Sequence, residues 1–93
     1  MSEGIVFYTR RGCHLCEELR ARLRACGVDP DGWAVRDVDH DPELRALFGR
    51  RLPVLTIDGR VVCEGRPDDD ALGRLLPLLD RVGGTDADRG EAR

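Results

Sequence analysis

The stretch IVFYTRRGCHLCEEL, residues 5–19, contains the features that decide the fold of this chain. The run from Gly4 to Thr9 is β-branched and aromatic without helical periodicity, which predicts a buried strand. After it, apolar residues recur every three or four positions and predict an amphipathic helix that stops at Gly27. The apolar positions of this helix are Leu15, Leu19, Leu23 and Cys26.

The rest of the chain alternates short elements of both kinds. Residues 33–38 predict a second, weaker strand, and residues 41–49 a short helix that begins with a capping Asp and a Pro. Residues 54–57 and 61–63 flank an Asp-Gly pair, a strong signal for an antiparallel hairpin. Residues 68–82 predict a closing helix, so the expected order is β-α-β-α-β-β-α.

The two later helices have their own apolar stripes. The short helix has the stripe Leu44, Leu47 and Phe48. The closing helix has the stripe Leu72, Leu75, Leu76, Leu79 and Val82. Pro77 lies inside the closing helix, where we expect a kink or a short break. Residues 1–82 are thus expected to form one domain, and residues 83–93 a disordered polar tail.

Size and charge exclude several classes of function. The 93 residues suffice for one domain, and the net charge of −3 comes from interspersed acids and bases without a basic stripe. We therefore expect no nucleic-acid or membrane partner. The apolar run near the N-terminus is too short for a signal peptide or a membrane span, so we expect a cytoplasmic protein. We also expect it to be a monomer.

The two cysteines at the start of the first helix carry the chemistry. Cys13 lies where free backbone N–H groups and the positive end of the helix dipole stabilise a thiolate, the form that attacks disulfides. Cys16 lies one turn later on the same face, close enough to form a disulfide after a small adjustment of that turn. This placement predicts a catalytic disulfide with Cys13 as nucleophile and Cys16 as resolving thiol.

Other interpretations of the cysteines remain open. A single CxxC is also half of a zinc or iron–sulfur site, which would make the chain a metal carrier or a non-catalytic binding module. The remaining candidate ligands are Cys26, Cys63, His14 and His40, which contain no second pair at ligand spacing. Cys26 belongs to the apolar stripe and is interpreted as a small core residue. We predict no metal site.

The segments YTRRGCHLCEELRARL (residues 8–23) and VRDVDHDPELRALFGRRLPVLTIDGRVV (residues 35–62) resemble glutaredoxins. The similarity is closest to a glutaredoxin-like group with a CHLC-type motif. It implies an α/β thioredoxin/glutaredoxin fold with a mixed four-stranded sheet. It also implies a thiol–disulfide oxidoreductase that has no bound cofactor, receives electrons from a low-molecular-weight thiol such as glutathione or from a reductase, and acts on protein disulfides or mixed disulfides.

The resemblance also implies roles for residues outside the CxxC. Spacing alone predicts a trans Leu52–Pro53 bond, whereas the resemblance implies a cis bond beside Cys13, with the backbone at Leu52 pairing with substrate. Arg10 matches a basic residue near the glutathione carboxylate, although a solvated loop charge is an equal alternative.

The chain departs from glutaredoxins where they bind glutathione. Their Gly-Gly pair followed by Asp is replaced by a segment with one glycine, Gly65, and a shifted Asp68. By the resemblance we expect Gly65 and Asp68 to contact the substrate, although Asp68 can instead cap the closing helix. Arg51-Leu52 replaces their Thr-Val. Cys63 could approach the active-site pair as a third thiol, and His14 could tune it, although both are also compatible with no role.

Overall fold

The computed structural model describes residues 4–83, which form a mixed four-stranded sheet with three α-helices. The elements, in chain order, are β1 (Ile5–Thr9), α1 (His14–Ala25), β2 (Ala34–Asp37), α2 (Pro42–Phe48), β3 (Val54–Ile57), β4 (Arg60–Glu64) and α3 (Asp69–Gly83). Two 3₁₀ turns, Pro30–Gly32 and Val38–His40, flank β2. The predicted order and the α/β class are confirmed.

The sheet has the strand order β2-β1-β3-β4. β1 and β2 are parallel, so their carboxyl ends lie at one edge of the sheet, where α1 begins. β3 runs antiparallel to β1 with Val54 opposite Tyr8, which places the start of β3 at the same edge. The β3–β4 hairpin turns through Asp58 and Gly59, whose φ values of 53° and 84° are those of the type I′ turn that Asp-Gly favours.

The two faces of the sheet are covered by different helices. On one face the Arg20 guanidinium of α1 lies 4.9 Å from the centre of the Phe7 ring, and on the other the Phe48 ring of α2 lies 4.7 Å from that of Tyr8. α3 lies beside α1, to which the Arg22–Asp69 ion pair connects it. The buried leucines of α1 and α3 are Leu19, Leu23, Leu72, Leu75 and Leu79.

Three positions of the predicted apolar stripes are wrong. In α1 the inward position belongs to Cys16, which is fully buried, and Leu15 is only half-buried. Leu47 of α2 is 56% exposed because this short helix packs mainly through Phe48. Cys26 is exposed: α1 ends at Ala25, and Cys26 borders an open groove between α3 and the segment that follows α1, instead of entering the core.

The closing helix corrects one part of the expectation at Pro77, the short break, whereas the kink stays a prediction. α3 continues through Pro77 without a break, since proline removes one backbone donor while the buried leucines before and after it keep the helix on the sheet. The helix includes Gly83, one residue past the predicted boundary. The predicted disorder of the remaining tail, and the side chain of Val82, lie outside what the structure describes. Within residues 4–83, no helix combines the length and hydropathy needed to cross a membrane.

Candidate active site

A tight turn between β1 and α1 presents the first cysteine. The Cys13 N–H donates to the Arg10 carbonyl at 3.2 Å, which closes a four-residue turn. Gly12, the third residue of this turn, has a φ of +76°, a conformation that favours glycine. The turn reverses the chain at the end of β1 and places Cys13 at the N-cap of α1.

Cys13 caps the helix with its sulfur. Its backbone is extended, with φ −76° and ψ 103°, and its Sγ accepts a hydrogen bond from the Cys16 N–H at 3.2 Å. The first N–H groups of a helix have no partner within the helix, and together with the helix dipole they favour negative charge at this position. The same geometry would stabilise a thiolate on reduced Cys13.

Cys13 and Cys16 are joined by a disulfide, with their Cα atoms 5.2 Å apart. The two sulfurs differ in access. Cys13 is partly exposed, whereas Cys16 faces the core and is fully buried. An external disulfide can therefore reach Cys13 first, while Cys16 is positioned to attack from within.

The Leu52–Pro53 peptide bond is cis and lies next to the end of β1, the strand that leads into the Cys13 turn. The expectation of a trans bond from spacing is thus wrong, and the cis bond that the resemblance implied is confirmed. Both residues are buried. Because Val54 pairs with Tyr8, Pro53 lies next to Thr9, the last residue of β1. Thr9 precedes Cys13 by four residues in the sequence.

Arg10 is occupied by contacts within the chain. Its Nε and Nη2 donate to the two carboxylate oxygens of Asp39 at 3.2 and 2.9 Å, and its Nη1 donates to the Gly49 carbonyl at 3.1 Å. The hydrogen bond from Arg10 holds the pKa of Asp39 below its usual value, and the same bond raises the pKa of Arg10. Arg10 therefore connects the active-site turn to the segments after β2 and α2.

The β4–α3 segment is also held within the chain. Gly65 has a φ of +69°, and its N–H lies 2.9 Å from the Pro53 carbonyl and 3.0 Å from the Arg51 carbonyl. Asp68 caps α3 by accepting from the Ala71 N–H at 2.7 Å. The structure therefore brings Gly65 next to Pro53, while the Asp68 carboxylate serves the helix.

Two further candidate residues are His14, which follows Cys13 directly in the sequence, and Cys63, which lies in β4. His14 is exposed as the first residue of α1. Cys63 pairs with Leu55, which pairs with Phe7, so its side chain belongs to the face that α1 covers. Burial raises the pKa of the Cys63 thiol, and the neighbouring Glu64 raises it further. This environment disfavours the thiolate form of Cys63.

Sequence reasoning missed the ion pairs around the site. Asp39 pairs with Arg10, Arg51 with Glu64, and Arg66 with Glu18. These partners are separated by 13 to 48 positions, and no local pattern relates them. No group of three or more His, Cys, Asp or Glu side chains suited to a metal ion occurs among residues 4–83.

Comparisons with known proteins agree with this geometry. Residues 4–77 match the model of the glutaredoxin-like domain family, DUF836. The solution structure of protein Ne2328 from Nitrosomonas europaea is 31% identical, with a TM-score of 0.60 over 81% of this chain and 92% of that one. The X-ray structure of protein XcR50 from X. campestris is 26% identical, with a TM-score of 0.66 over 81% and 97%.

None of the curated proteins is significantly similar in sequence. The family match covers most of the chain, and both solved structures align over nearly their whole length. The chain therefore has a thioredoxin-like fold and belongs to the glutaredoxin-like domain family.

Proposed function

We propose that this protein is a thiol–disulfide oxidoreductase that reduces protein disulfides or mixed disulfides through Cys13 and Cys16. One observation carries the proposal: a partly exposed N-cap cysteine is bonded to a fully buried cysteine one turn later. This arrangement combines an accessible sulfur in a field that favours thiolate with a second sulfur that is bonded to it and shielded from solvent. The resemblance to glutaredoxins implies that the backbone of Leu52, at the cis bond before Pro53 and next to the end of β1, pairs with an extended substrate.

In the first step the Cys13 thiolate attacks one sulfur of the substrate disulfide. A Cys13–substrate disulfide forms, the substrate S–S bond breaks, and the other substrate sulfur leaves as a thiolate that takes up a proton. The Cys16 N–H, which lies 3.2 Å from Cys13 Sγ, stabilises the attacking thiolate before this step.

In the second step Cys16 loses its proton and attacks Cys13 Sγ. The Cys13–Cys16 disulfide forms, and the second substrate sulfur leaves as a thiol after protonation. Two electrons and two protons have then passed from the dithiol to the substrate. Two equivalents of a low-molecular-weight thiol, or one turnover of a reductase, return the disulfide to the dithiol and are themselves oxidised.

A disulfide-reduction assay with several donors tests the proposal. The protein is supplied with a protein disulfide and, in separate reactions, with glutathione, another small thiol or a reductase system. We expect turnover with at least one donor, its abolition in Cys13→Ser and its retention in the matched control Cys26→Ser, since Cys26 lies at the far end of α1. Equal activity of Cys13→Ser and the wild type would contradict the proposal.

A further inference from the structure

The active-site turn contains two cations, Arg10 and Arg11, and Asp39 and the Gly49 carbonyl hold the guanidinium of Arg10. The Arg10 carbonyl accepts the bond that closes this turn on Cys13, so the residue lies within one turn of the reacting sulfur. A disulfide that reacts at Cys13 would approach within one turn of Arg10, so a carboxylate close to its scissile bond would interact with the charge of this residue. An accessible guanidinium there would attract such a ligand, because Arg binds carboxylates through paired N–H donors.

Asp39 prevents such binding, because its own carboxylate accepts from the paired N–H donors of Arg10. Three of the five N–H donors of Arg10 are used, and the pair formed by Nε and Nη2 is occupied by one carboxylate. The Arg10 side chain stays 35% exposed, so its contacts with Asp39, and not burial, limit its availability.

The position of Asp39 follows from the fold. β2 runs parallel to β1, with Asp37 opposite Thr9, so the residues after β2 meet those after β1 at the same edge of the sheet. The 3₁₀ turn Val38–His40 then fixes Asp39, whose N–H donates to the Asp37 carboxylate at 2.9 Å. Asp39 thus arrives beside Arg10 on a short, capped segment.

On the basis of the proposed function, we propose that Asp39 is a specificity-determining residue. By holding Arg10, it lowers the reactivity of Cys13 towards disulfides that carry carboxylates near the scissile bond, such as glutathione disulfides, relative to neutral ones. The residue positions and neutralises a charge and takes no part in bond breaking.

The test measures the first chemical step alone. In a Cys16→Ser background, which keeps the backbone N–H that faces Cys13, reduced Cys13 reacts with oxidised glutathione or with neutral bis(2-hydroxyethyl) disulfide. Each reaction forms a mixed disulfide and releases one thiol, and mass spectrometry gives both rates. The quantity compared between variants is the ratio of the glutathione rate to the neutral rate.

We expect Asp39→Asn to raise this ratio by a factor of about two to five, the range for one exposed ion pair. Adding Arg10→Gln should return the ratio to its original value, and high salt should reduce the gain. The control Asp31→Asn, which breaks the exposed pair between Arg24 of α1 and Asp31 of the 3₁₀ turn Pro30–Gly32, should leave the ratio unchanged.

A reactive Cys13 whose ratio does not rise in Asp39→Asn would overturn the role of Asp39 alone. A gain that persists after Arg10→Gln would overturn it as well, because another cation would then be responsible. A Cys13 that reacts with neither disulfide would overturn the proposed function and this inference together.

Discussion

The two ends of α1 each carry a cysteine, but they offer different chemistry. At the N-terminal end Cys13 caps the helix, accepts a backbone N–H bond and is joined to Cys16. At the C-terminal end the N–H of Cys26 is already used, since it donates to the carbonyls of Arg22 and Leu23. A thiolate at Cys26 would face the negative end of the dipole. Because both residues are cysteines, their positions on the helix account for the different fields that the two sulfurs meet.

The largest expected effect is on the free energy of unfolding, at the C-terminal end of α1. Leu23 is fully buried, whereas Cys26, three residues later, is exposed. Leu23→Ala should lower the free energy of unfolding by about 2–5 kcal/mol through lost burial and a cavity. Cys26→Ala should change it by no more than about 0.5 kcal/mol. Urea unfolding of the two variants measures the difference.

A loss of several kcal/mol in Cys26→Ala would restore the interpretation of Cys26 as a core residue. The two variants replace neighbouring apolar positions of one predicted stripe. Their comparison therefore tests where the helix ceases to face the sheet, and the Leu23 variant serves as the internal reference.

The next effect concerns the N-terminal end. We expect the pKa of reduced Cys13 to lie at least about one unit below the free-cysteine value of about 8.5, because helix N–H groups favour its thiolate and Arg11 precedes it closely. The rate of alkylation by iodoacetamide against pH, followed by peptide mapping, gives the midpoint for Cys13.

Cys63 provides the contrast in the same experiment. Burial raises the pKa of its thiol, so its alkylation should become appreciable only at higher pH than that of Cys13. If Cys13 showed a midpoint at or above about 8.5, the helix N-terminus would not activate it, and the assignment of Cys13 as nucleophile would fail.

Local patterns predicted those parts of the molecule that depend on neighbouring residues. The Asp58–Gly59 turn and the Asp41 cap of α2 were both predicted, and Asp41 accepts from the Glu43 N–H at 2.9 Å. The placement of Cys13 at the start of α1 was predicted for the same reason: strand, glycine turn and helix follow one another directly in the sequence.

Features that depend on distant residues were missed or assigned wrongly. The ion pair between Arg10 and Asp39 exists only because β1 and β2 are adjacent and parallel. Leu47 and Cys26 fit a helical period, but a period does not reveal where a neighbouring element stops covering the helix. The cis bond before Pro53 came from resemblance, since spacing contains no signal for it.

The smallest expected effect concerns Glu17, the exposed acid in the first turn of α1. Its negative charge interacts favourably with the positive end of the helix dipole but repels a thiolate at Cys13. The two residues are neighbours on the helix, since the Cys13 carbonyl accepts a hydrogen bond from the Glu17 N–H at 3.2 Å. Glu17→Gln should therefore lower the alkylation midpoint of Cys13 by about 0.1–0.7 pH units, the equivalent of one exposed charge interaction. It should also lower the free energy of unfolding by about 0.3–1 kcal/mol.

Glu43→Gln is the matched control, because Glu43 occupies the first turn of α2, where no thiol lies. It should lower the free energy of unfolding by a similar amount and leave the Cys13 midpoint unchanged. If Glu17→Gln lowered both the Cys13 midpoint and the free energy of unfolding, and Glu43→Gln lowered only the latter, both quantities would respond to the field at the start of α1. If the Cys13 midpoint rose, or moved equally in both variants, the charge of Glu17 would not act on the thiolate, and the backbone N–H groups would be left as its source of stabilisation.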